Sequence, residues 1–148
     1  MMLSCSLLLG AFVLTPGLVL AGDLTPARNE KNPEKSYWLA LENANSVLGE
    51  ARKSLSEGQL EALRKNLDET VESVQFARDK LYSTGKSPSR NSRHFKRAEL
   101  KLRDLLKKLD GLLQEAGFED RQPIEAAKKK VQQLHDDLLF DIMGRRKQ

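Results

Sequence analysis

The residues able to do chemistry in this chain are few and scattered. The run Ser83-Thr84-Gly85-Lys86-Ser87 carries the Gly-Lys-Ser end of a phosphate-gripping P-loop. A P-loop needs a glycine, four residues, then Gly-Lys-Ser or Gly-Lys-Thr. The position that should hold the first glycine is Lys80. The motif also needs a strand before it and a helix after it, so that backbone N–H groups cradle the phosphates. Here Pro88 interrupts the segment that should open that helix. Gly85 reads instead as the left-handed residue closing a helix, with Pro88 beyond it as a stop. The two histidines, His94 and His135, have Asn91 and Gln132 three residues before them, so the Glu-x-x-His pair of di-iron bundles is absent. So is the Cys-x-x-Cys-His of c-type haem attachment. His135 falls beside an apolar helical stripe and reads as a boundary histidine hydrogen-bonded within the fold. No metal and no cofactor are expected, and the chain is not expected to be an enzyme.

A denser signal is electrostatic. Residues 86–108 hold nine basic and two acidic side chains, net +7 in a chain whose whole formal charge is +4. Arg93, Lys96 and Arg97 crowd the expected start of a helix, where the dipole favours acids and each cation costs about 0.3–1 kcal/mol. Helical spacing sends Arg93, Lys96, Arg97, Arg103 and Lys107 away from the apolar stripe, with Leu100 set among them. Together with Lys86 and Arg90 these residues form the candidate polyanion-binding set. A cationic face with one apolar residue suits phospholipid, lipopolysaccharide, polyphosphate or nucleic acid.

These residues must be held by helices, and the sequence says which. Residues 1–21, "MMLSCSLLLGAFVLTPGLVLA", contain no charged side chain. An apolar core from Leu7 to Leu14, the breakers Pro16 and Gly17, and the small Ala21 read as a secretory signal removed before Gly22. Anchoring by residues 3–21 is the alternative, since the stretch is just long enough to span a bilayer. Cys5 lies inside this segment, so the mature chain would have no thiol. Residues 22–32, polar and broken by Pro26, read as a flexible arm.

From residue 33 the pattern is helical throughout. Asn32 as N-cap and Pro33 at the first position open a helix with the stripe Tyr37, Leu41, Ala44, Leu48, Ala51, Leu55. The stripe resumes at Leu60 out of phase, across Gly58, with Ser56 and Gln59 spaced as a capping box. It continues through Leu63, Leu67, Val71, Val74, Ala77 and Leu81. A third helix carries Phe95, Ala98, Leu102, Leu105, Leu109, Leu112 and Ala116 and ends at Gly117. A fourth begins around Gln122-Pro123 with Ile124, Ala127, Val131, Leu134, Leu138 and Ile142. The expected fold is all-α, an antiparallel four-helix bundle of two helical hairpins over residues 33–144, with a basic tail at 145–148. The stretch "ARKSLSEGQLEAL" (51–63) also has the rhythm of a tetratricopeptide-like helix pair, the alternative architecture.

The functional expectation is an exported, periplasmic or extracellular helical accessory protein of the cell envelope. Its partners would be a protein or an anionic envelope component, with weak nucleic-acid binding and a homodimer as further expectations. Trp38, Leu39, Phe76 and Phe140 fall on outer faces by this phasing, or sit in the near-continuous apolar run Tyr37-Trp38-Leu39, and are the candidate partner contacts.

Overall fold

Asn32 opens the first long helix in the way its sequence requires. Its side-chain oxygen accepts the N–H of Glu34 at 2.9 Å, and Pro33 takes the first helical position, where a missing N–H costs nothing. The computed structural model describes residues 22–144. The expected signal segment (1–21), with Cys5, and the expected basic tail (145–148) lie outside the described residues.

Five helices pack together, and no strand occurs among the described residues: α1 Thr25–Asn29, α2 Pro33–Ser56, α3 Leu60–Tyr82, α4 Ser92–Glu115 and α5 Phe118–Met143. The apolar stripes meet in one core. Leu41, Leu63, Leu67, Leu81, Phe95, Leu105, Leu109, Ile124 and Val131 are almost fully buried there.

Polar contacts fix how the helices run. Asn43 meets Ser73 at 2.9 Å and Asn66 meets Ser54 at 3.1 Å, so α2 and α3 form an antiparallel hairpin. Glu99 meets His135 at 2.9 Å and Arg121 reaches the Leu113 carbonyl at 3.1 Å, so α4 and α5 form another. Between hairpins the order changes. Glu34 lies 3.5 Å from His94, Glu42 pairs with Lys101 at 2.9 Å, and Arg52 meets Glu115 at 3.2 Å. All three advance together along both helices, so α2 and α4 are parallel. Likewise α3 and α5 share a groove between Leu67 and Pro123 near their starts, and Tyr82 donates to Asp141 near their ends. Every neighbouring pair was expected to be antiparallel, and that holds only within each hairpin. The link 83–91 makes the difference, because it joins α3 to a helix that α3 scarcely touches, and α4 packs instead on α2 and α5.

Three local expectations are corrected. Residues 22–32 are not a free arm: Leu24 and Ala27 are buried, α1 lies on α2, and the Ser36 hydroxyl donates to the Ala27 carbonyl at 2.6 Å. Ser56 does not cap α3, because its hydroxyl bonds back to the Lys53 carbonyl and Gln59 precedes α3 without a side-chain cap. The last helix starts at Phe118, before Pro123, which therefore lies inside it and leaves the carbonyl four residues earlier without its usual donor. The breaks at Gly58 and Gly85 do form, with φ of +67° and +70°, a region few other residues tolerate.

Candidate anion-binding face

The start of α4 has none of the features that usually settle a helix N-terminus. Asn91 supplies no side-chain cap, and no acid lies in the first turn. The positive end of the helix dipole thus meets Arg93, Lys96 and Arg97 directly. Relief comes from α2. Glu34, in its first turn, accepts from Lys86, and its second oxygen lies 3.5 Å from His94 Nε2. The bond from Lys86 holds the Glu34 carboxyl below the usual carboxylate range. His94 is fixed on its other side, with Nδ1 3.1 Å from the Tyr37 hydroxyl. Burial raises the Tyr37 phenol above its ordinary value, against the opposing pull of Arg97.

The candidate cations fall into two groups. Lys86, Arg97 and Arg103 are occupied. Arg97 lies 3.9 Å from the Trp38 ring centroid, with Lys101 at 4.9 Å from the same ring. The electron-rich face of the indole draws both cations, which explains why the half-buried Trp38 is covered instead of free for a partner. Arg103 reaches back one turn to Glu99, with Nη2 at 2.6 Å and Nε at 3.1 Å. The side chains of Arg90, Arg93, Lys96 and Lys107 make no ion pair or hydrogen bond with another described residue. Arg93, Lys96, Leu100, Arg103 and Lys107 all lie exposed at three- and four-residue spacing, one outward stripe of α4. Leu100, 58% exposed, sits in its middle.

The apolar candidates separate as well. Leu39 is 38% and Phe140 50% exposed. Phe76 is partly buried against the core, with Arg28 and Lys80 over its ring at 5.6 and 5.4 Å, so it is not an open contact. The most exposed aromatic among the described residues is Phe118, the first residue of α5, which the phasing does not single out.

Behind the stripe lies a buried polar cluster, in which His135 is hydrogen-bonded within the fold as expected but with partners the sequence did not name. Glu99 and His135 are both buried. Glu99 Oε1 faces His135 Nε2, and Asp136 Oδ1 lies 3.1 Å from His135 Nδ1, so both ring nitrogens meet carboxylates. Burial raises the Glu99 pKa, but the hydrogen bonds from His135 and Arg103 outweigh it, and the carboxyl sits below its usual range. Asp136 is lowered by its bonds from His135 and Gln132. The sequence signal was available: Glu99 is one of only two acids in residues 86–108, four residues before an arginine. At the other end of the α3–α5 groove, burial and then the bond to Asp141 push the Tyr82 phenol up.

The Gly-Lys-Ser run forms no phosphate loop. Ser83 closes α3, Lys86 is bound to Glu34, and no strand leads into it. Among the described residues, no group of His, Cys, Asp and Glu is placed to hold a metal ion, and no helix is long and apolar enough to cross a membrane. Compared with protein-family models, with curated proteins and with solved structures, the chain finds no match in any of the three.

Proposed function

We propose that this chain is an exported, non-enzymatic accessory protein of the cell envelope whose four long helices act as one bundle and set the outer face of α4 against an anionic surface. The alternative placement is anchoring by residues 3–21. The observation that carries the reading is Leu100, exposed in the middle of a stripe whose flanking cations Lys96 and Lys107 have no carboxylate to answer them. An amphipathic surface of this kind gains from both terms at a lipid interface, charge attraction and burial of the apolar side chain. Nucleic acid would satisfy only the first, so its binding is the weaker expectation.

Co-sedimentation with vesicles tests this. Lys96→Glu with Lys107→Glu should abolish binding to anionic vesicles, and wild-type binding should fall steeply with salt, because counterion release drives it. Leu100→Ala should weaken binding to vesicles and leave binding to nucleic acid unchanged. None of these side chains touches the core, so the helical signal should persist in all variants. Equal sedimentation of wild type and the Lys96/Lys107 variant would show that the stripe is only solvated.

A second reading rests on the parallel alignment of α2 with α4 and α3 with α5. Helix-pair repeats stack in this way to build protein-binding surfaces, which supports a tetratricopeptide-like interaction module. Two pairs fall short of the three or so such solenoids need for stability. That leaves the surface reading ahead.

A further inference from the structure

Below the stripe, where the link 83–91 turns into α4, lies a hollow lined by Lys86, Arg90, Asn91, Ser92, Arg93 and His94. Its wall and its mouth differ. The wall is fixed: Lys86 is tied to Glu34, and His94 is held between the Tyr37 hydroxyl and Glu34. The remaining lining side chains, Arg90, Asn91, Ser92 and Arg93, make no hydrogen bond or ion pair with another described residue. No carboxylate lines the hollow, and the nearby Glu34 is engaged by two of the lining residues, Lys86 and His94. Two guanidinium forks without a partner, an amide and a hydroxyl therefore line one concavity that holds no carboxylate. The uncapped first turn of α4 adds its partial positive charge to the same space.

We propose that this hollow binds a phosphate monoester, with Arg90 and Arg93 gripping its terminal oxygens and Asn91 and Ser92 donating from the head of α4. Guanidinium forks match pairs of phosphate oxygens, and a monoester presents three such oxygens with close to two charges. A diester presents two oxygens and one charge, so it leaves one fork idle. This site shares Arg93 with the α4 stripe but differs from it in kind: it recognises one group, whereas the stripe offers spread charge to a surface. The same chemistry can come from a soluble phosphate compound or from a monoester lipid headgroup such as phosphatidic acid.

The test is titration of the 15N-labelled chain with methyl phosphate, inorganic phosphate, dimethyl phosphate and chloride at constant ionic strength. Methyl phosphate and inorganic phosphate should produce saturable amide shifts confined to residues 90–94, and dimethyl phosphate should bind about ten-fold more weakly. Arg90→Ala with Arg93→Ala should weaken binding of methyl phosphate and inorganic phosphate by about ten-fold or more while circular dichroism stays unchanged. Lys96→Glu with Lys107→Glu should leave the titration within about two-fold, so loss of surface binding and loss of this site are distinguishable. Vesicles of phosphatidic acid and of phosphatidylglycerol, matched in surface charge, separate the sources. Preference for phosphatidic acid that disappears in the Arg90/Arg93 variant identifies a lipid headgroup, and equal sedimentation beside a saturable methyl phosphate titration identifies a soluble ligand. Chloride reproducing the shifts, dimethyl phosphate binding as well as methyl phosphate, or the Arg90/Arg93 variant binding like wild type would each overturn the proposal.

Discussion

Glu99 gathers His135 and Arg103 on one carboxylate in the α4–α5 seam, and its consequence is a defined acid sensitivity. The folded pKa values of Glu99 and Asp136 are depressed, so both groups bind protons less readily in the folded state than in the unfolded one. Their contribution to stability is therefore complete above the unfolded carboxylate values, about 4. It is lost as pH falls through the lower folded values. The melting temperature should be flat down to about pH 5 and drop below about pH 4. Glu99→Gln should cost about 1–3 kcal/mol at neutral pH, because the amide cannot answer both donors as a carboxylate does. The gap between variant and wild type should narrow below about pH 4, which thermal melts across pH would check. A constant gap at every pH would mean that the residue acts through packing alone. The sequence put His135 at the edge of a stripe, which is where it lies, but its partner on α4 is 36 residues away. Spacing along one helix says nothing about which residue of another helix faces it, so Glu99 read as a minority acid in a basic run. Arg103 is a different case: its salt bridge to Glu99 lies within α4 at four-residue spacing and was legible, but its outward position alone was read.

At the level of the helices, apolar periodicity was enough to place four long elements, because each stripe repeats over many turns and local noise averages out. Leu105→Ala, in the middle of one stripe and almost fully buried, should cost about 2–5 kcal/mol in denaturant melts, and Lys129→Ala, exposed on α5, close to nothing. Asn32→Ala should cost about 1 kcal/mol by removing the cap of α2. What periodicity missed were elements whose existence depends on a neighbour. A five-residue helix such as α1 has no stable form alone, and Leu24 and Ala27 are apolar signals only once α2 lies beneath them. The first turn of α5 is polar apart from Phe118, so the apolar pattern begins only at Ile124, and Pro123 reinforced that boundary. The seam between α2 and α4 has a built-in reporter, because Trp38 is the only tryptophan in the chain. Arg97→Ala should uncover the indole, red-shift its emission and raise its quenching by iodide, with a loss of about 0.5–2 kcal/mol. An unshifted spectrum would mean that Lys101 alone suffices to cover the ring.

For the molecule as a whole, the sequence supplied the helices and the basic region but not the way the hairpins face each other. That depends on the path of the link 83–91, whose composition marks a break without giving its direction. The alignment has an electrical consequence. At the end where Glu34 meets Lys86, α2 and α4 both begin while α3 and α5 both finish. Each helix start carries about half a positive charge and each helix finish about half a negative one. Strict antiparallel neighbours would alternate these signs around the rim. Here the two positive ends stand together along one edge and the two negative ends along the other, and at the opposite end of the molecule the edges exchange sign. The backbone therefore builds a quadrupole, not a dipole. Its field decays within the screening length of about 8 Å at physiological salt, too short to draw the protein toward a charged surface from afar. It acts on touching. Against an anionic surface of the kind proposed above it would favour one posture, with the edge formed by α2 and α4 lowered first at the end where α4 starts, so that the molecule would lean on its corner before lying on its face.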